Sequence, residues 1–131
     1  MRLLLDTHIL LWRLANSPRL SVDALRVMDE EADAVMASAA SVWEVAIKWS
    51  LRRGGVNDMP LSGSDFLAAL EEVGVEILPV TPAHAAALDH LPILHGDPFD
   101  RLLIAQARWE GLTLFTADAR LADYGEGIRL V

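Results

Sequence analysis

Short apolar runs that alternate with longer helical patterns constrain the fold of this chain more than any other feature. The runs are rich in Leu, Val and Ile, and Gly-containing breaks separate them from segments whose apolar residues recur at helical spacing. Strands are predicted at 2–5, 34–37, 75–80, 112–115 and 128–131, and helices at 7–15, 21–31, 40–53, 64–73, 82–89 and 98–110. Buried strands alternating with helices indicate a parallel sheet covered on both faces. We therefore expect one α/β domain over residues 1–131, with a sheet of about five strands.

The chain shows no sign of a membrane or secreted protein. No apolar run reaches the roughly 18 residues that a membrane span needs. Asp6 interrupts the apolar N-terminal run and no A-x-A-like cleavage site follows it, so export is not expected. The absence of cysteine excludes disulfides and thiolate metal sites and fits a reducing compartment. A cytoplasmic location is the expectation.

The formal net charge of -8 argues against nucleic-acid binding through a general basic surface. It does not exclude a nucleic-acid enzyme, because divalent cations held by carboxylates would reverse the local sign of the field. Lys48 is the only lysine beside ten arginines. Contacts with phosphate would therefore fall mainly to Arg, whose planar group suits bidentate recognition.

Several acids stand where a parallel sheet collects its ligands, beyond the carboxyl ends of the strands. Asp6 directly follows the first strand, and Asp118 follows the strand at 112–115. Each also has a local explanation. Asp6 would cap the helix that follows it, and Asp118 would be an exposed turn acid, with Thr116 as the N-cap of a following helical turn. Thr116 could equally orient a water in a site. Capping and ligand binding are compatible because a cap uses only part of a carboxylate's capacity to accept hydrogen bonds.

Asp97 and Asp100 open the helix that leads into the strand at 112–115. Asp97 is a favourable N-cap, Pro98 suits the first helical position, and Asp100 falls in the positive first turn. If Asp97 caps, Asp100 can reach back to its amide, as in a capping box. The apolar residues at 102–107 carry this helix into the core, which would mount Asp100 on a rigid element, as a metal ligand requires.

Glu44 lies in the predicted helix 40–53, which is mostly apolar and therefore expected to be largely buried. Ser41, Glu44, Lys48 and Arg52 share one stripe of that helix. One interpretation is a solvated face with a Glu44–Lys48 pair. The other places Glu44 on the wall of an acidic pocket, with Lys48 and Arg52 leading away from it. Helical geometry alone does not decide between them.

Carboxylates that gather without cysteine are a match for hard cations. Mg²⁺, or Mn²⁺, prefers such oxygen ligands, and two such ions can support phosphodiester hydrolysis. His8 could lie at the rim of the pocket or simply pack at the surface. His84, His90 and His95 show no ligand spacing.

Four segments in this order resemble the PIN-domain ribonucleases, specifically the VapC-type toxins of bacterial toxin–antitoxin pairs. They are 3-LLLDTHILLW-12, 38-SAASVWEVAIK-48, 95-HGDPFDRLLIAQA-107 and 113-TLFTAD-118. The resemblance runs the length of the chain. It implies a three-layer α/β/α domain with a Mg²⁺-dependent endoribonuclease site, in which Mn²⁺ is a second candidate ion.

By position, the resemblance matches Asp6, Glu44 and Asp100 to the family's acidic triad and Asp118 to its more variable fourth acid. Asp97 is expected to be an ancillary residue beside these four acids. Further ancillary residues are expected next to the acids: Thr7, Ser41 and Thr116. Lys48 and Arg52 are expected to contact RNA or the antitoxin. The implied partners are a small antitoxin protein, a second copy of the chain in a homodimer or larger homo-oligomer, and structured RNA such as tRNA.

Two other classes of function remain to be compared with the nuclease. A catalytically silent module could keep the acidic pocket as a docking surface. A phosphatase or phosphoryl-signalling domain would also use an acidic α/β pocket. The sequence speaks against both versions of this last class. A receiver-type signalling module needs a lysine beyond a late strand, but the only lysine is in the third helix. A haloacid-dehalogenase-like phosphatase needs a second Asp two positions after the first, and here His8 stands two positions after Asp6.

Overall fold

A five-stranded parallel sheet forms the centre of the molecule in a computed structural model that describes residues 1–131. The strand order is β3-β2-β1-β4-β5, and every neighbouring pair is parallel. The strands are β1 (Arg2–Leu5), β2 (Ala34–Ser38), β3 (Glu76–Leu78), β4 (Thr113–Thr116) and β5 (Ile128–Leu130). The predicted α/β class and the strand number are confirmed.

Helices occupy the segments where helical spacing predicted them. They are α1 (Thr7–Leu14), α2 (Val22–Arg26), α3 (Ala39–Ser50), α4 (Gly63–Glu72), α5 (Pro82–Ala86) and α6 (Pro98–Glu110). Two predicted helices change character along their length: α2 passes into a π turn at Val27–Glu31, and α5 passes into a 3-10 turn at Ala87–His90. A further 3-10 helix at Ala119–Tyr124 follows β4, where one interpretation of the sequence placed a helical turn after Thr116. None of the helices is long and apolar enough to cross a membrane.

The alternation of side chains along β1 divides the interior into two cores. Leu3 and Leu5 point to one face of the sheet, where α1, α2 and α4 pack, and Leu4 points to the other, where α6 packs. All three leucines are essentially inaccessible to solvent. The sheet therefore lies between two helical layers, which confirms the three-layer α/β/α arrangement.

The order of the strands creates a crevice beside β1. The chain runs from β1 to β2 and β3 on one side, and then returns to place β4 and β5 on the other side. Such a reversal opens a crevice beyond the carboxyl ends of the two strands where it occurs, here β1 and β4. The amide of Asp6 donates to the carbonyl of Phe115 at 3.0 Å, so the strand pairing continues one residue past β1 and fixes the Asp6 backbone at this edge.

Helix α3 is less buried than its apolar sequence predicted. Only Ala40, Ser41, Glu44 and Val45 are buried, whereas the indole of Trp43 is 60% exposed. The expectation of a largely buried helix was wrong because two polar side chains, Ser41 and Glu44, belong to the face that packs inward. The presence of these two polar side chains shows that the inner face of α3 contacts a polar region as well as the apolar core.

Candidate active site

Asp6 lies at the carboxyl end of the central strand and is 5% exposed. As predicted, it caps α1: its Oδ1 accepts the Ile9 amide at 3.0 Å, and its Oδ2 accepts the Thr116 hydroxyl from the end of β4. Burial raises the pKa of Asp6, and the neighbouring charge of Glu44 acts in the same direction, although the two hydrogen bonds oppose this rise. Asp6 is thus a fixed, buried carboxylate at the crevice between β1 and β4.

Glu44 presents its carboxylate from the inner face of α3 and is 6% exposed. Its Oε1 lies 2.7 Å from the Thr7 hydroxyl, and its Oε2 accepts the Lys48 ammonium at 2.7 Å. The Thr7 hydroxyl also lies 2.9 Å from Ser41 Oγ. Because an ionised carboxylate can only accept, Thr7 gives its single proton to Glu44, and the bond with Ser41 uses the Ser41 proton. The predicted stripe therefore splits into a buried part at Ser41 and Glu44 and an exposed part at Lys48.

The hydrogen bond from Thr7 to Glu44 leads to a stability prediction. Thr7→Val keeps the shape of the side chain and removes the donor, so a buried carboxylate oxygen loses its partner. We expect the free energy of unfolding to fall by about 1–3 kcal/mol. Urea denaturation measures this loss, and Thr7→Ser, which keeps the hydroxyl, is the matched control. Equal stability of Thr7→Val and the unchanged chain would show that the bond does not hold Glu44.

Asp97 and Asp100 have different roles at the start of α6. Asp97 caps the helix, as predicted: its Oδ1 accepts the Phe99 amide at 2.9 Å and the Asp100 amide at 3.4 Å. Asp100 does not reach back to the Asp97 amide as a capping box would require. Its Oδ2 instead lies 2.9 Å from the Nε2 of His95. Burial raises the pKa of Asp100, the hydrogen bond with His95 opposes this, and the charges of Asp97 and Asp6 raise it further.

His95 is a residue of the site that sequence spacing did not identify. Its side chain is nearly buried, and one ligand atom each from His95, Asp97 and Asp100 lie within 4.8 Å of one another. The spacing of the histidines in the sequence did not indicate this proximity of His95 to the two aspartates. The loop before α6 turns back on itself, which brings a side chain five positions upstream onto Asp100. A histidine that shortly precedes a capped helix with an acid in its first turn was the available signal.

Asp118 is paired with Arg120. Its two carboxylate oxygens accept Nε and Nη2 of Arg120 at 3.0 and 2.7 Å, and its Oδ1 also accepts the Arg120 amide at 3.0 Å. The hydrogen bond with Arg120 lowers the pKa of Asp118. Asp118, not Thr116, caps the 3-10 helix, whereas Thr116 bridges by donating to Asp6 and accepting the Asp118 amide at 3.1 Å.

The structure thus brings Asp6, Glu44 and Asp100 into one electrostatic neighbourhood, and Thr116 links Asp118 to Asp6 through hydrogen bonds. The charge of Glu44 acts on Asp6, and the charge of Asp6 acts on Asp100, as the pKa shifts of the two aspartates show. Grouped, partly buried carboxylates of this kind fit a hard divalent cation, since the cation offsets their mutual repulsion. Asp100 Oδ1 accepts no hydrogen bond and is free for such a ligand.

Glu44 lines a cavity of about 620 Å³ together with His95 and Asp97, the neighbours of Asp100 in the chain. Its walls carry both signs of charge, from Glu44 and Asp97 and from Lys48 and Arg120. Arg52, predicted to continue the stripe of Lys48, instead stacks its guanidinium 3.7 Å from the ring of Trp49 and does not line this cavity.

Comparison with known proteins agrees with this architecture. The PIN domain family model matches residues 3–127. Ribonuclease VapC22 of Mycobacterium tuberculosis is 34% identical over 122 residues, which cover 92% of this chain and 90% of that protein. Among solved structures, VapBC2 of Rickettsia felis bound to a promoter DNA fragment aligns with a TM-score of 0.69 and 16% identity over 100% of this chain and 98% of that one. A toxin–antitoxin complex from Klebsiella pneumoniae aligns with a TM-score of 0.66 and 18% identity over 96% and 94%.

Proposed function

The chain belongs to the PIN domain family, and from that premise we propose that it is a metal-dependent endoribonuclease acting as the toxin of a toxin–antitoxin pair. The observation that supports the proposal is that the charge of Glu44 acts on Asp6 and the charge of Asp6 acts on Asp100, with Asp6 placed at the carboxyl end of β1. The three acids come from a helix cap, a helix face and the first turn of another helix. A relative whose printed name is ribonuclease, 34% identical over most of the chain, supports the same activity.

Asp6 and Asp100 would hold the principal cation, Mg²⁺ or Mn²⁺, because both are carboxylates whose burial favours an added positive charge. Glu44 would ligate directly or through a water, and Asp118 would complete the site or orient water. When bound, the cation supplies Lewis-acid stabilisation of the phosphoryl oxygens and lowers the pKa of water.

The protein's own contribution is to hold these oxygens in place. Ile9 and Thr116 fix both oxygens of Asp6, and Thr7 fixes Glu44. His95 fixes one oxygen of Asp100 and leaves the other free. Such pre-set positions lower the cost of orienting groups when the substrate binds.

The substrate we propose is structured RNA such as tRNA, and the partners are a cognate antitoxin and a second copy of the chain in a homodimer or larger assembly, in the cytoplasm. The relative's name supports RNA as the substrate. Proteins of the same fold have been solved as VapBC and toxin–antitoxin complexes, which is why an antitoxin is the partner to test.

Expression in bacterial cells tests the function directly. We expect induction of the chain alone to arrest growth and to create new RNA 5′ ends at a small set of positions, because an endonuclease cuts within its substrate. Co-expression with the neighbouring reading frame is expected to relieve both effects. No arrest and no new ends, at normal protein levels, would reject the nuclease and favour the silent acidic pocket as a docking module.

A further inference from the structure

Two cations line the cavity next to the acids, and they come from different parts of the chain. Lys48 lies on α3 and is 48% exposed, and Arg120 lies on the 3-10 helix after β4 and is 69% exposed. Both side chains line the same cavity as Glu44 and Asp97. The sequence singled out Lys48, whereas nothing in the sequence marked Arg120.

Each of the two cations keeps hydrogen-bond donors that its ion pair does not engage. Lys48 gives one of its three N–H donors to Glu44. Arg120 gives Nε and Nη2 to Asp118, and its Nη1 has no partner in the protein. An exposed ion pair such as Asp118–Arg120 contributes little to stability. Arg120 can therefore bind a further anion through Nη1, or exchange Asp118 for that anion at little cost.

The surrounding charge makes such a contact necessary for an RNA substrate. A chain with a net charge of -8 has no general attraction for a polyanion, and the acids of the site repel phosphates directly. The charges of Asp100 and Asp97 act on Arg120, which places its guanidinium within electrostatic reach of the acids that would hold the cation. A guanidinium also matches the geometry of phosphate oxygens.

We propose that Arg120, together with Lys48, binds the RNA phosphates that flank the cleaved bond, so that Arg120 is a substrate-positioning residue of the site. This inference rests on the proposed ribonuclease function and deepens it. The Asp118–Arg120 pair thereby has a second function. Asp118 holds the guanidinium at the wall of the cavity, and the guanidinium binds a phosphate of the RNA backbone.

Binding of RNA by a non-cutting variant tests the proposal. The probe is a fluorescein-labelled single strand of mixed sequence, about 12 nucleotides long, bound to Asp100→Asn protein in Mg²⁺ buffer. Adding Arg120→Gln is expected to raise the Kd about threefold or more at low salt and to reduce the slope of log K against log salt by about 0.7, the value for one lost phosphate contact on a single strand. Arg2→Gln, an equal loss of charge at the amino end of β1, should change neither quantity.

A second background separates a direct contact from an effect through Asp118. When Asp118→Asn is also present, Arg120→Gln should still raise the Kd, because the phosphate contact does not need the carboxylate. The proposal is overturned if Arg120→Gln no longer raises the Kd when Asp118→Asn is present. It is also overturned if Arg120→Gln leaves the Kd and the salt slope unchanged in the Asp100→Asn protein. Neither result would count against the nuclease function. If the unchanged chain neither cleaves nor binds RNA, the proposed function itself fails, and the role of Arg120 fails with it.

Discussion

Asp100→Asn is expected to reduce RNA cleavage at least about a thousandfold while the protein stays folded. The substitution removes the negative charge that would hold the cation, and Lewis-acid stabilisation is worth several kcal/mol at about 1.4 kcal/mol per factor of ten. The amide keeps the size of the side chain and can still accept from His95, so the start of α6 should not change. Cleavage of labelled RNA by purified protein in Mg²⁺ measures the effect, and circular dichroism reports the fold.

Asp97→Asn is the matched control for this prediction because it alters the same helix three residues earlier. Asparagine caps helices about as well as aspartate, so both hydrogen bonds from the Phe99 and Asp100 amides can remain. We expect this variant to lose no more than about 10–100-fold in rate, as partners around a metal site do, and so much less than Asp100→Asn. Full activity of Asp100→Asn, or equal losses in the two variants, would contradict the assignment of Asp100 as the cation ligand.

Asp6→Asn is expected to abolish most of the stabilisation that Mg²⁺ gives the folded protein. In the unchanged chain, a cation that binds only the folded state at about 100 times its Kd adds about 2.7 kcal/mol, which corresponds to a rise in Tm of roughly 5–10 °C for a protein of this size. Without metal, Asp6→Asn removes a buried charge close to Glu44 and Asp100, but it leaves either the Ile9 amide or the Thr116 hydroxyl without its acceptor, so the two effects oppose each other and the Tm should change little. Adding Mg²⁺ should then raise its Tm little.

Calorimetry with EDTA and with Mg²⁺ provides the measurement, and Asp123→Asn is its control. Asp123 is an exposed acid of the 3-10 helix, so its replacement should leave the full Mg²⁺ response in place. A Tm response of Asp6→Asn equal to that of the unchanged chain would exclude Asp6 from the cation site. Since the readout is stability, this result does not depend on finding the right RNA.

The sequence allowed the fold and three of the four acids to be placed because both depend on strong local patterns. Continuously apolar strands such as β1 indicate a sheet buried on both faces, and the rule that ligands gather beyond carboxyl ends draws attention to Asp6. The cap at Asp97, followed by Pro98, fixed the start of α6 to the residue. The roles of Asp6, Glu44 and Asp100 as cation ligands remain predictions until the variants are measured.

The features of the site that the sequence did not predict depend on contacts that the periodicity of helices and strands does not encode. His95 reaches Asp100 through an irregular loop, and the choice of Arg120 as the partner of Asp118 depends on rotamers at an exposed turn. The burial of α3 was overestimated for a related reason. The inner face of α3 carries Ser41 and Glu44 beside Val45, while apolar residues such as Trp43 lie on the exposed side.

The hydrogen bond between Asp6 and Thr116 joins residues 110 positions apart in the chain, and it sets when the site can exist during synthesis. β1 also needs β4 as its neighbour on that side. At roughly 5–20 residues per second, a ribosome makes the intervening stretch in about ten seconds. For that interval the nascent chain carries Asp6 without the strand that completes its surroundings. Assembly from distant parts therefore delays nuclease activity until almost all of these 131 residues have been translated.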